Sequence, residues 1–200
     1  MNVLSMTHLS WARLASDLCS PPVVLPVLAW FAAQYDVGTN GDAWLLAGLF
    51  IVGAVIIPFA TLGWWVHRGL ITDIHMPERR ERYWPLLLEL GCTFLVWIIL
   101  QRIGNFPGIN LVTVFLLFET LIGLCVTMYW QISVHSGIIT GAVVIAGILF
   151  GVQTALLLSP LVLLVAAARL HLKRHTVGQV AAGIAVGISV PLLYWQIVPH

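Results

Sequence analysis

Three short polar stretches hold nearly all the side chains of this 200-residue chain that could do chemistry, and each is suited to an anion. The first, His67–Pro85, reads HRGLITDIHMPERRERYWP and contains Arg68, Arg79, Arg80 and Arg82 with Asp73, Glu78 and Glu81. A guanidinium offers forked donors that match phosphate oxygens; a solvated, positively biased loop is the ordinary alternative. The second is Ser133-Val134-His135, just before an apolar stretch. A helix start there exposes unsatisfied N–H groups and a partial positive charge, although a Ser and a His at such a place also serve as cap and interfacial residue. The third runs from Arg169 to His175, ARLHLKRH with Ala168 included, and leads into Thr176-Val-Gly-Gln179. Gln179, four residues beyond His175, lies on the same helical face and can orient the imidazole; a basic collar snorkelling at a membrane boundary is the plainer reading.

What must position these stretches is a membrane bundle. The chain is 60% hydrophobic and only 8% charged, with a mean hydropathy of +0.99, whereas a soluble domain carries about 25% charged residues. Eight acids and nine bases cannot clothe a water-soluble globule, so lipid must face most of the surface. A net charge of +1 gives no general attraction for nucleic acid. Cys19, Cys92 and Cys125 are scattered and odd in number, and read as small hydrophobes rather than a disulfide or metal framework. The N-terminal segment lacks a basic head followed by an apolar core, so no cleavable signal peptide is expected; Trp11 and Arg13 suit an interfacial segment instead.

A crossing takes about 20 apolar residues. Clear spans are expected over 43–66, 85–101, 109–131 and 176–198, with a proline-kinked one over 20–36. The apolar stretch 136–168 is too long for one crossing and should divide near 151–156. The expectation is an all-α, single-domain bundle of six or seven spans over 1–200. In the seven-span arrangement the three polar stretches share one face, and Arg102 alone of the nine Lys and Arg lies on the other. The positive-inside rule then puts the charged face in the cytoplasm of a multi-pass cell-membrane protein.

The second and third stretches, in that order, resemble the type 2 phosphatidic acid phosphatase and haloperoxidase superfamily, whose motifs are commonly written KxxxxxxRP, PSGH and SRxxxxxHxxxD. ARLHLKRHTVGQ keeps the Arg169-to-His175 spacing, ISVH keeps Ser133 and His135, and PERRERYWP offers Arg79 and Arg82 for the first motif. The likeness covers about 65–190. It implies metal-independent hydrolysis of a phosphoester through a phosphohistidine, with no cofactor. By position, His175 resembles the nucleophile and His135 the acid that protonates the departing alcohol. Arg169, Ser133, Arg79 and Arg82 resemble the phosphate-holding set. Opposite protonation states of the two imidazoles imply a bell-shaped pH profile. Two departures stand out: Gln179 replaces the family's Asp, and Ala168 its Ser.

A pocket at a membrane boundary suits an amphiphile, so phosphatidate, phosphatidylglycerol phosphate and polyprenyl phosphates or diphosphates are the expected substrates. The main alternative is a catalytically impaired member that binds a phosphorylated lipid or is structural. A haem protein using His67, His75, His135, His171 and His175, or a transporter using Glu89 and Glu119, are further alternatives; an ionisable group within a span costs about 3 kcal/mol.

Overall fold

The computed structural model describes residues 10–38, 42–72 and 79–198. Asp73, His75 and Glu78 lie outside these, and of Arg79 the backbone alone is described. The described residues form helices and turns with no strand. In order these are α1 (Trp11–Leu18), α2 (Pro21–Val37), α3 (Asp42–Phe50), a π-helical segment (Ile51–Ile56), α4 (Ile57–His67), a 3₁₀ turn (Arg79–Arg82), α5 (Tyr83–Ile103), α6 (Pro107–Thr127), α7 (Val134–Phe150), α8 (Val152–Leu158), α9 (Pro160–His171) and α10 (Val177–Ile197). Among the described residues, five continuous helical stretches are long and apolar enough to cross a bilayer: 42–67, 80–103, 107–127, 152–171 and 177–197. The pair α1–α2, bent by 43°, makes a sixth if taken as one span. The chain is thus an integral membrane protein. α7 is apolar but has 17 residues, about 26 Å at 1.5 Å per residue, the short end of what spans hydrocarbon.

Local chemistry sets the breaks. Pro21 and Pro22 occupy the first turn of α2, where the missing N–H costs nothing. The long apolar stretch divides at Gly151, whose φ of 97° favours glycine; Gln153 falls inside α8 and not in the turn. Ser159-Pro160 separates α8 from α9 without ending the span.

The core lies among α2, α3, the π-helical segment, α5, α6 and α7, around Phe50, Phe115, Leu25, Leu100 and Ile145. At the end opposite the polar stretches, Asp36 of α2 accepts from the N–H groups of Gly108 (2.7 Å) and Ile109 (2.8 Å). A carboxylate there satisfies orphan donors and complements the dipole of α6.

The most extensive helix pairing is α7 against α10, and it rests on glycine. A Cβ at Gly183 would stand 2.5 Å from the Ser133 carbonyl oxygen and 3.2 Å from the Gly137 nitrogen, and one at Gly187 would collide with the Gly137 carbonyl. Small residues let helix backbones approach closely where lipid supplies no hydrophobic drive. Gly183→Ala is therefore expected to cost about 1–3 kcal/mol through overpacking. Thermal unfolding in detergent checks this, and an unchanged midpoint would contradict the close fit.

Candidate active site

The site is assembled where α9 ends, α10 begins and α7 begins. After α9 the chain turns through Lys173, in the left-handed region at φ 53°, and the Arg174 N–H reaches the Arg169 carbonyl at 3.1 Å. His175 follows, half-buried. Thr176 caps α10: its hydroxyl accepts from the Gln179 N–H at 3.4 Å, and the Thr176 N–H donates to Gln179 Oε1 at 3.0 Å. This reciprocal capping box fixes the Gln179 side chain.

The same Gln179 oxygen lies 3.2 Å from His175 Nδ1. A backbone N–H can only donate, so the atom facing Thr176 must be the amide oxygen and not its nitrogen. His175 Nδ1 therefore carries the proton, and Nε2 keeps its lone pair. Burial, and then the field of Arg169, depress the His175 pKa to about 4; the bond to Gln179 opposes the shift, and Arg82 and Arg174 add to it. At neutral pH the imidazole is a free base with a fixed tautomer, the state a nucleophile requires.

Arg169 is 8% exposed and packs with α9 against α1. Its Nη1 donates to the Ser16 hydroxyl at 3.0 Å, while its Nε has no partner among the described residues. Asp17 also acts on it electrostatically, without an ion pair among the described residues. A buried guanidinium so incompletely satisfied carries a real desolvation cost, and an anion beside it would remove that cost.

The second stretch is joined to the third through the backbone: the Ser133 N–H donates to the Gln179 carbonyl at 3.1 Å. Ser133 is fully buried, and its hydroxyl pairs with Ser136 Oγ at 2.9 Å. It is engaged as a pin between α7 and α10, with neither its N–H nor its hydroxyl turned outward. His135 stands in the first turn of α7, half-buried and engaged by a neighbouring group. From the first stretch, Arg82 reaches His175 electrostatically. Its turn is held by Thr72, whose N–H and hydroxyl donate to the Glu81 carboxylate at 3.1 and 2.8 Å.

The structure thus brings Arg82, Ser133, Arg169, His175 and Gln179 to one end of the bundle, with His135 on the same end. The described histidines His67 and His171 are exposed, and no group of three or more His, Cys, Asp or Glu suited to a metal occurs among the described residues. Glu119 is buried in α6, its Oε2 without a partner among the described residues, against Gly137 in the first turn of α7. Sequence reading passed over Ser16, which has no motif around it, and Ser136, whose position three residues after Ser133 was the available signal.

No family model, curated protein or solved structure matches the chain.

Proposed function

We propose that the protein is a membrane-embedded phosphatase acting on a lipid phosphate or a polyprenyl phosphate or diphosphate through a phosphohistidine. The observation that carries this reading is the buried, incompletely partnered Arg169 beside a neutral His175 whose Nδ1 is tied to Gln179. Those are the two needs of phosphoryl transfer: fixed positive charge for the equatorial oxygens and an aligned nucleophile.

In the proposed cycle, His175 Nε2 attacks the terminal phosphorus and its bond to the oxygen on the lipid side breaks. His135, protonated, gives its proton to that oxygen, and the alcohol leaves from a monoester or the lipid monophosphate from a diphosphate. A water, deprotonated by His135, then attacks the phosphohistidine and releases orthophosphate, restoring both imidazoles. Arg169 and Arg82, with Arg79 on the same turn, balance the phosphoryl charge. Ser133 holds the two helices in register. Trp130, whose ring faces Gly178, and Trp64, under the Arg68 guanidinium at 5.5 Å, fit a headgroup layer at this end. The bias of Lys and Arg toward this end supports a cytoplasmic orientation under the positive-inside rule.

One observation favours a second reading, a lipid-phosphate binder without turnover: Gln179 orients the ring but adds no charge to stabilise a developing imidazolium. A phosphate-release screen over vesicles containing phosphatidate, phosphatidylglycerol phosphate or a polyprenyl diphosphate separates the two. Turnover by the wild type, lowered about a hundredfold or more in Arg169→Ala, is expected. Binding of these lipids with no release would select the second reading.

A further inference from the structure

We infer that Ser16, on the amphipathic helix α1, is a positioning residue of the anion site: its hydroxyl takes one edge of the Arg169 guanidinium and aims the rest at the space beside His175. The inference rests on the phosphatase reading in taking that space for the phosphoryl group.

Ser16 is 3% exposed and sits with Ala12 and Ala15 on the buried face of α1, against Ala168 at the end of α9. Trp11 adds a ring contact with His171, 5.3 Å between centroids. Trp11, Leu14 and Leu18 line an adjoining, exposed face of α1, so the helix lies as an amphipathic strip with one side on α9. A surface strip needs only apolar residues on its inner side. A buried hydroxyl there has a cost unless it is bonded, and the described bond of the Ser16 side chain is the one to Arg169.

The geometry of that bond gives it a direction. A guanidinium is planar, with five N–H donors in a fixed fork. Engaging Nη1 anchors one edge of the plane and leaves Nε, buried and without a partner among the described residues, as a donor still to be satisfied. The position next to Arg169 is Ala168, whose methyl offers no hydroxyl and is fully buried against α1. The hydroxyl that steadies the arginine therefore comes from a residue 153 positions earlier in the chain. Arg169 in turn acts on His175, contributing to the depression of its pKa. A change at Ser16 should thus be read at His175, which it does not touch.

The test is an NMR titration of His175 in the full chain, reconstituted in lipid nanodiscs with labelled histidine, for wild type, Ser16→Ala and Ser16→Thr. Orthophosphate binding is measured on the same samples. Alanine favours helix over serine, so α1 is not lost through propensity. In Ser16→Ala the freed guanidinium swings from His175, and the imidazole midpoint rises from about 4 toward the ordinary histidine value. Orthophosphate binding weakens about tenfold, the scale of a hydrogen bond to a charged group. Ser16→Thr, which keeps the hydroxyl, restores both. A merely structural role for α1 would not move the His175 titration selectively. An unchanged midpoint in Ser16→Ala overturns the inference whatever the activity. A shifted midpoint in a protein that releases no phosphate supports the hold of Ser16 on Arg169 and counts against the phosphatase reading alone.

Discussion

Replacing His175 by alanine is expected to lower phosphate release at least about a thousandfold while leaving the bundle folded. The magnitude follows from the chemistry assigned to the side chain. Removing the attacking group from a covalent mechanism removes the mechanism, and residual rate comes only from binding and charge stabilisation. The fold has little stake in the ring: His175 lies in the turn between α9 and α10, half-buried, with Gln179 Oε1 as its described hydrogen-bond partner. The capping box survives its loss, since Thr176 and Gln179 bond each other directly. Release by His175→Ala within tenfold of wild type, at equal helix content, would remove His175 as nucleophile.

The second large effect is a gain. Gln179→Glu should raise turnover above neutral pH by about ten- to a hundredfold. In a serine-protease triad, replacing the carboxylate by an amide costs about 10⁴-fold, chiefly by selecting the wrong tautomer. Here the amide oxygen already faces Nδ1 and the tautomer is correct, so only the charge contribution is missing. Glutamate is isosteric with glutamine and keeps both oxygen contacts, which the shorter aspartate would have to reach across a gap. The pH dependence has a definite sign. In the wild type His175 stays neutral down to about pH 4, so its acid limb lies there. A carboxylate favours the imidazolium and moves the limb to higher pH. The variant should therefore be the faster enzyme above neutrality and the slower one near pH 5, and the two profiles must cross. Parallel profiles would show that Gln179 does not govern the ring.

The parts of this architecture that were readable in the sequence are those encoded locally. Apolar runs of crossing length announce the spans, and the spacing from Arg169 through His175 to Gln179 survives as one turn and one capping box. Thr176-x-x-Gln179 is itself a capping signature, and it explains the amide's fixed orientation better than its distance from His175 does. Contacts between remote segments were not readable. Trp11 and Arg13 suggested an interfacial strip, yet nothing near Ser16 announced a bond to Arg169. Nothing local at Asp36 announced that its carboxylate closes the start of α6. Ser133 offered a hydroxyl that the fold turns inward to Ser136, because Gly183 brings the α10 backbone against its carbonyl.

That glycine contact has a mechanical consequence. Ser133 and Gln179 are bonded main chain to main chain, and no side chain intervenes between α7 and α10 at Gly183. The helix bearing His135 and the helix preceded by His175 travel as one body, so the distance between the two imidazoles is set when the protein folds. On the proposed reading, a bulky headgroup would enter by the other wall. There α1 and the Arg79–Arg82 turn are fastened through side chains, Ser16 to Arg169 and Thr72 to Glu81, and such fastenings can part without unmaking a helix.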